Sequence, residues 1–126
     1  MILLDTSVII APAIQFPDLG VYGVSMVTLA ELEFGVHMAD SAVARAHRQA
    51  RITALRESGM SWHPFDEPAA ISYGLLAAEV AKTRPSHARS KDILIAGHAH
   101  SLGASVMTLN PKDFELVSHL VPIMAA

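Results

Sequence analysis

Four acidic residues mark where chemistry could occur in this chain: Asp5, Glu31, Asp92 and Asp113. Asp5 closes the apolar run Ile2-Leu3-Leu4, and Glu31 falls near the start of a helical pattern. Asp92 follows the polar stretch 86–90, and Asp113 follows the apolar run 104–109. Carboxylates crowded within a few ångströms repel, and at least one is driven to take a proton. A divalent cation removes that penalty. The chain has no cysteine, which excludes disulfides and thiolate ligands. An all-oxygen donor set favours a hard ion, Mg2+ or Mn2+, over zinc. Such an ion can activate water and stabilise the departing oxygen of a phosphodiester.

These acids are far apart in sequence, so only the fold can gather them. The apolar run 2–4 reads as a buried strand ending at Asp5. Residues 11–23 hold Pro12, Pro17, Gly20 and Gly23 and read as loop with at most a short helix. Residues 23–26 form a short extended piece. A helix is predicted from Thr28 to about Met38, with Leu29, Leu32 and Val36 on one face. Asp40 or Ser41 caps a longer helix running to Glu57, stopped at Ser58-Gly59. A short strand over 60–65 and a helix over 67–83 come next, the helix halted before Pro85. Lys91 to Leu102 is predicted helical and ends at Gly103. A strand over 104–109, one helical turn opened by Asn110-Pro111 and a last strand over 120–124 complete the chain.

Strands alternating with helices predict an α/β fold: one domain over 1–126, with a parallel sheet of about four to five strands flanked by helices. In such sheets ligands bind beyond the carboxyl ends of the strands. Strand ends and helix starts share that rim, so the four acids can converge there. Each also has a purely structural reading. Asp5 can be a helix N-cap, and Thr28-Leu29-Ala30-Glu31 fits a capping box. Asp92 can favour a helix start through the macrodipole. The four on one rim are harder to explain that way than any one alone.

Of the 126 residues, 52% are hydrophobic and 17% charged, the composition of a compact domain and not of a disordered chain. No apolar run is long enough to span a membrane, the N-terminus lacks a basic signal-peptide start, and a cytoplasmic location is expected. The net charge of −3 argues weakly against nucleic-acid binding, but its distribution is uneven. Residues 1–40 carry Asp5, Asp18, Glu31, Glu33 and Asp40 and no Lys or Arg. The basic residues cluster at Arg45, Arg48, Arg51 and Arg56, then at Lys82, Arg84, Arg89 and Lys91. An acidic centre with basic arms suits a phosphate substrate over a metal ion, although two solvated helix faces explain the clusters too. Lys91 with Arg84 and Arg89 is the choice for backbone phosphate contacts. His98 and His100, two apart on a helix, face different ways and make a poor zinc pair. Apolar faces near 29–36 and 71–80 fit core packing or dimerisation equally well.

With these residues assembled, the chain resembles the PIN-domain ribonucleases, specifically the VapC-type toxins of bacterial toxin–antitoxin pairs. The resemblance covers nearly the whole chain. It rests on Ile2-Leu3-Leu4-Asp5-Thr6-Ser7, on Ser25-Met26-Val27-Thr28-Leu29-Ala30-Glu31-Leu32 with Gly35, on Asp92-Ile93-Leu94-Ile95-Ala96-Gly97-His98-Ala99, and on Val106 to Phe114. It implies a Mg2+-dependent endoribonuclease that cuts structured RNA such as tRNA or ribosomal RNA. It implies a homodimer and a VapB-like antitoxin that blocks the site. By position Asp5 and Asp92 match the principal metal ligands, and Glu31 matches the third acid. Many relatives carry an acid where this chain has Asn110, and Asp113 lies three residues on. Asn110 can offer its amide oxygen or hold a water, and Asp113 can act from the outer shell. The segment between Asp5 and Glu31 is short for the family, so its first helices are expected to be trimmed.

Two other readings compete. A phosphatase using Asp5 as nucleophile wants a second Asp two residues on, where this chain has Ser7. A catalytically silent module that only binds RNA or antitoxin draws its support from Asn110.

Overall fold

The computed structural model describes residues 1–11 and 21–126. Its elements in chain order are β1 (Ile2–Leu4), α1 (Thr6–Ile10), β2 (Tyr22–Ser25), α2 (Met26–His37), α3 (Ala42–Glu57), β3 (Ser61–His63), α4 (Glu67–Ala81), α5 (Lys91–Leu102), β4 (Ser105–Thr108), a 3-10 helix (Pro111–Val117) and β5 (Ile123–Ala125). The strands form one five-stranded sheet in the order β3-β2-β1-β4-β5, and every neighbouring pair is parallel. This is the α/β fold with a parallel sheet that the alternation of strands and helices predicts.

Side chains on a strand alternate between faces, and β1 shows the consequence in two residues. Leu3 joins one core with Val106, Leu76, Val80, Ile93, Ala96, Phe114 and Val117. Leu4 joins a second core with Val8, Ile9, Val24 and Met107. The sheet is thus covered on both sides, as parallel sheets require. α5 is buried almost all round, at Ile93 and from Ile95 to Ala99. Its small residues let it lie close to α4: a Cβ added at Gly97 would come within 2.5 Å of the Tyr73 backbone.

Several boundaries fall where local chemistry puts them. Ser41 caps α3 by accepting from the Ala44 N–H at 3.1 Å. Gly103 ends α5 in the left-handed region, φ 63°, which glycine enters without strain. Others differ. α2 begins at Met26, capped by Ser25, whose hydroxyl accepts from the Val27 N–H at 3.0 Å. The capping box expected at Thr28 is therefore overturned: Thr28 is buried inside the helix, and Glu31 sits in its second turn. The helix after Asn110 runs seven residues, beyond the single turn expected. α1 carried no sequence signal, because five residues are too few to display a period. Of the loop expected over 11–23, residues 12–20 lie outside the described residues, and they are also part of the segment expected to be trimmed.

Candidate active site

β1 and β4 are neighbours, and from them the chain continues outward to opposite edges of the sheet. Their shared carboxyl end is the switch point of the topology, where open α/β sheets place ligands. Asp5 stands there, only 5% exposed. It occupies the N-cap position of α1, but its side chain makes no capping hydrogen bond. Instead its Oδ2 accepts from the Ser7 hydroxyl and from the Thr108 hydroxyl, each at 2.8 Å. Those hydroxyls are themselves held: Ser7 Oγ accepts from the Leu109 N–H at 3.1 Å, and Thr108 Oγ1 from the Asn110 N–H at 3.0 Å. Among the described residues no donor is bonded to Oδ1 of Asp5. One oxygen is thus tethered, and the other keeps its lone pairs for an outside partner. The sequence reading missed Ser7 and Thr108 as partners of Asp5, because Thr108 is 103 residues away.

Asp92 lies in the first turn of α5. Its carboxyl is pushed up to about 6, first by burial, then by the negative charges of Asp5 and Asp113, with a smaller push from Glu31 and an opposing pull from His87. The other three acids singled out in sequence therefore all act on Asp92 across this rim. Asp113 is exposed on the 3-10 helix, where its carbonyl is bonded to Nε2 of His87 at 2.9 Å. Neither Asn110 nor Ser90 uses its side chain as a cap, and the Ser90 hydroxyl is buried without a partner.

Glu31 is engaged elsewhere: its Oε2 lies 3.3 Å from Nζ of Lys91. Of the expected phosphate-binding trio of Lys91, Arg84 and Arg89, only Lys91 lines the cleft beside Glu31. Lys91 faces a carboxylate, and Arg84 and Arg89 are exposed outside the cleft beside Glu31. That cleft, about 370 Å³, is walled by Ile10, Leu32 and Ile52 and edged by Arg48 and Arg51 with Lys91. Arg48 and Arg51 are three apart on α3, a spacing that puts both on one helix face and could have revealed them. The histidines make no metal pair with each other. His98 is buried with Nδ1 2.8 Å from Ser25 Oγ, and His100 Nδ1 is 2.8 Å from Ser72 Oγ.

Among the described residues no three His, Asp or Glu side chains stand close enough together to hold an ion as they are placed. The chemistry of the set nevertheless fits a hard cation: oxygen donors only, a free Asp5 oxygen, an orphaned Ser90 hydroxyl and a carboxyl at Asp92 disfavoured in its charged form.

Two predictions arise here. Thr108→Val removes one donor to Asp5 and strands the Asn110 N–H, while nearly preserving shape. Loss of such an orienting contact is expected to lower the affinity of this rim for a divalent cation about 10–100-fold, read from a Mn2+ titration. Unchanged affinity would show that Asp5 needs no such tether. The second concerns Asp92, whose folded-state pKa lies above its unfolded value. The folded chain then binds more protons, so metal-free stability falls as pH rises between the unfolded and folded values. Asp92→Asn escapes that loss. At about pH 7.5 without metal it is expected to be more stable than the parent by about 1–2 kcal/mol, after allowance for solvent screening. The gain should shrink toward about pH 5, as urea unfolding would report. A gain independent of pH would contradict the electrostatic cause.

Comparison with known proteins bears on the family and the fold. The PIN-domain family profile matches residues 2–120. No curated protein matches the chain. Among solved structures, VapBC-5 from Mycobacterium tuberculosis, a member of the VapBC family of toxin–antitoxin systems, is 31% identical with a TM-score of 0.76, covering 98% of this chain and 94% of its own. A DNA-bound VapBC from Salmonella typhimurium is 26% identical with a TM-score of 0.74, covering 98% and 96%. FitAcB from Neisseria gonorrhoeae is 26% identical with a TM-score of 0.73 and the same coverage. By the family profile over residues 2–120, the likeness to VapBC structures and the five-stranded parallel sheet, the chain belongs to the PIN-domain family and is of the VapC type.

Proposed function

We propose that this chain is a Mg2+-dependent endoribonuclease, able to use Mn2+, and the toxin of a toxin–antitoxin pair that hydrolyses phosphodiester bonds in structured RNA such as tRNA or ribosomal RNA. The observation that carries the reading is the carboxylate group at the β1–β4 rim, where Ser7 and Thr108 tether one oxygen of Asp5, and where burial with Asp5, Asp113 and Glu31 raises the Asp92 carboxyl to about 6. Like charges gathered at the switch point of a parallel sheet repel unless a divalent cation lies among them. Asp5, Asp92 and Glu31 are the residues that would hold it, with Asp113 and Asn110 beside them. When bound, the ion supplies acidity to water and charge stabilisation at the leaving oxygen. The rest falls to the chain. Ser7 and Thr108 keep Asp5 oriented. Arg48, Arg51 and Lys91 attract backbone phosphate, which gives affinity without sequence choice.

The likeness to VapBC structures supports a VapB-like antitoxin as partner. Exposed Phe34, Met38 and Val43, and exposed Ile71 and Leu75 on α4, offer apolar surface for that partner and for a homodimer. No described helix is long and apolar enough to cross a membrane.

Sequencing RNA ends after induced expression of the parent and of Asp5→Asn tests the reading. New ends specific to the parent support it; identical ends in both overturn it. The silent-binder alternative is favoured by one observation, the lack of three assembled ligands among the described residues. A Mn2+ titration separates the two, since a silent module is expected to show no binding tighter than about millimolar.

A further inference from the structure

We propose that Lys91 is a resident counter-cation of Glu31, which a divalent ion must displace and which is then released to a substrate phosphate. The inference rests on the metal-dependent reading above and concerns how the same site is loaded.

The pair is lopsided. The Lys91 side chain is 66% exposed and that of Glu31 only 13%, with 3.3 Å between Nζ and Oε2. An ammonium mostly in water leaves at little loss, because a solvent-facing ion pair contributes little net stability. A carboxylate mostly out of water does not stay charged and unpaired without a large penalty. Glu31 is therefore built to exchange one cation for another and not to stand bare. The exchange also accounts for the incomplete ligand set: Glu31 turns to Lys91 while Asp5 keeps one oxygen unbonded among the described residues.

The destination of the released ammonium is equally constrained. Lys91 borders the cleft edged by Arg48 and Arg51. Each arginine is anchored by one nitrogen to a carbonyl, Arg48 to Gly35 and Arg51 to Ile10. A guanidinium has five N–H donors, so both retain donors for an anion. Lys91 is the only cation of this cleft in a salt bridge among the described residues. A phosphate entering the cleft competes with Glu31 for Lys91, and a metal competes with Lys91 for Glu31. The two ligands accordingly favour each other's binding, and linkage makes the coupling reciprocal.

Mn2+ alone is the probe, with binding followed by EPR or calorimetry on the whole chain. Lys91→Met is expected to bind Mn2+ about 5–10-fold tighter than the parent, a coupling of the usual allosteric size. Lys91→Arg, which keeps the charge, should stay within about twofold of the parent. A general loss of positive field would produce a gain too, so the cycle with Glu31 decides. In the Glu31→Gln background, Lys91→Met should alter Mn2+ affinity by less than about twofold. The same Lys91→Met change should raise KM for RNA and reduce the salt slope of RNA binding by about one. Unchanged or weaker Mn2+ binding by Lys91→Met overturns the inference, as does an equal gain in the Glu31→Gln background. If parent and variant both fail to bind Mn2+, the metal-dependent reading falls as well. If both bind it alike, only the role of Lys91 falls.

Discussion

Asp5→Asn and Asp92→Asn are each expected to lower RNA cleavage by at least about 1,000-fold without unfolding the protein. The geometry at Asp5 explains why activity and fold separate. Its Oδ2 accepts from both Ser7 and Thr108, and an amide oxygen can accept the same two bonds. The amide NH2 then falls where the unbonded oxygen stood, presenting donors where a cation needs lone pairs. Asp92→Asn removes the charge that burial and three neighbouring acids disfavour, so its fold should gain stability as its activity is lost. The measurement is cleavage of purified tRNA and ribosomal RNA with Mg2+ and with EDTA, alongside circular dichroism of each variant. Equal cleavage by parent and variants in a contaminant-free preparation would remove the carboxylates from the reaction.

Gly97→Ala is expected to destabilise the protein by about 3 kcal/mol or more, against the usual trend for a glycine inside a helix. A Cβ at this position would lie 2.5 Å from Tyr73 Cα, 2.8 Å from its nitrogen and 2.9 Å from its Cβ. Backbone atoms cannot rotate aside, so α4 and α5 must part. Because α5 carries Lys91 and Asp92, the site should loosen with the core. Gly74, on α4, is the control: a Cβ there meets nothing within 4 Å. Gly74→Ala should follow helix propensity and stabilise by about 0.5–1 kcal/mol. Urea unfolding of the two variants reads both signs. Similar effects at both glycines would mean that the helices are not in close contact.

The contrast between two helix starts shows how far local signals reach. The end of α5 at Gly103 follows from one residue type beside an apolar pattern. The start of α2 looked just as local, since Thr28 and Glu31 form a legible capping box. Ser25 took the cap instead, with its hydroxyl also 2.8 Å from Nδ1 of His98, 73 residues away. A cap that also secures a second helix is invisible in a window of a few residues. The histidine pair gives the opposite case: its spacing alone showed that the two rings diverge, and they have separate serine partners.

Residue order along the chain was enough to identify the alternating elements, the parallel sheet and the family, and to single out four acids as candidates, because each depends on periodicity, on turn residues or on short motifs. It could not say what each acid touches. That depended on β1 lying against β4, which brings Thr108 to Asp5, and on α2 lying near the start of α5, which sets Glu31 opposite Lys91. The reason is physical: backbone hydrogen bonds and side-chain periods are set within a few residues, whereas charge–charge fields and hydroxyl tethers act between segments that only the packed sheet and helices bring within reach.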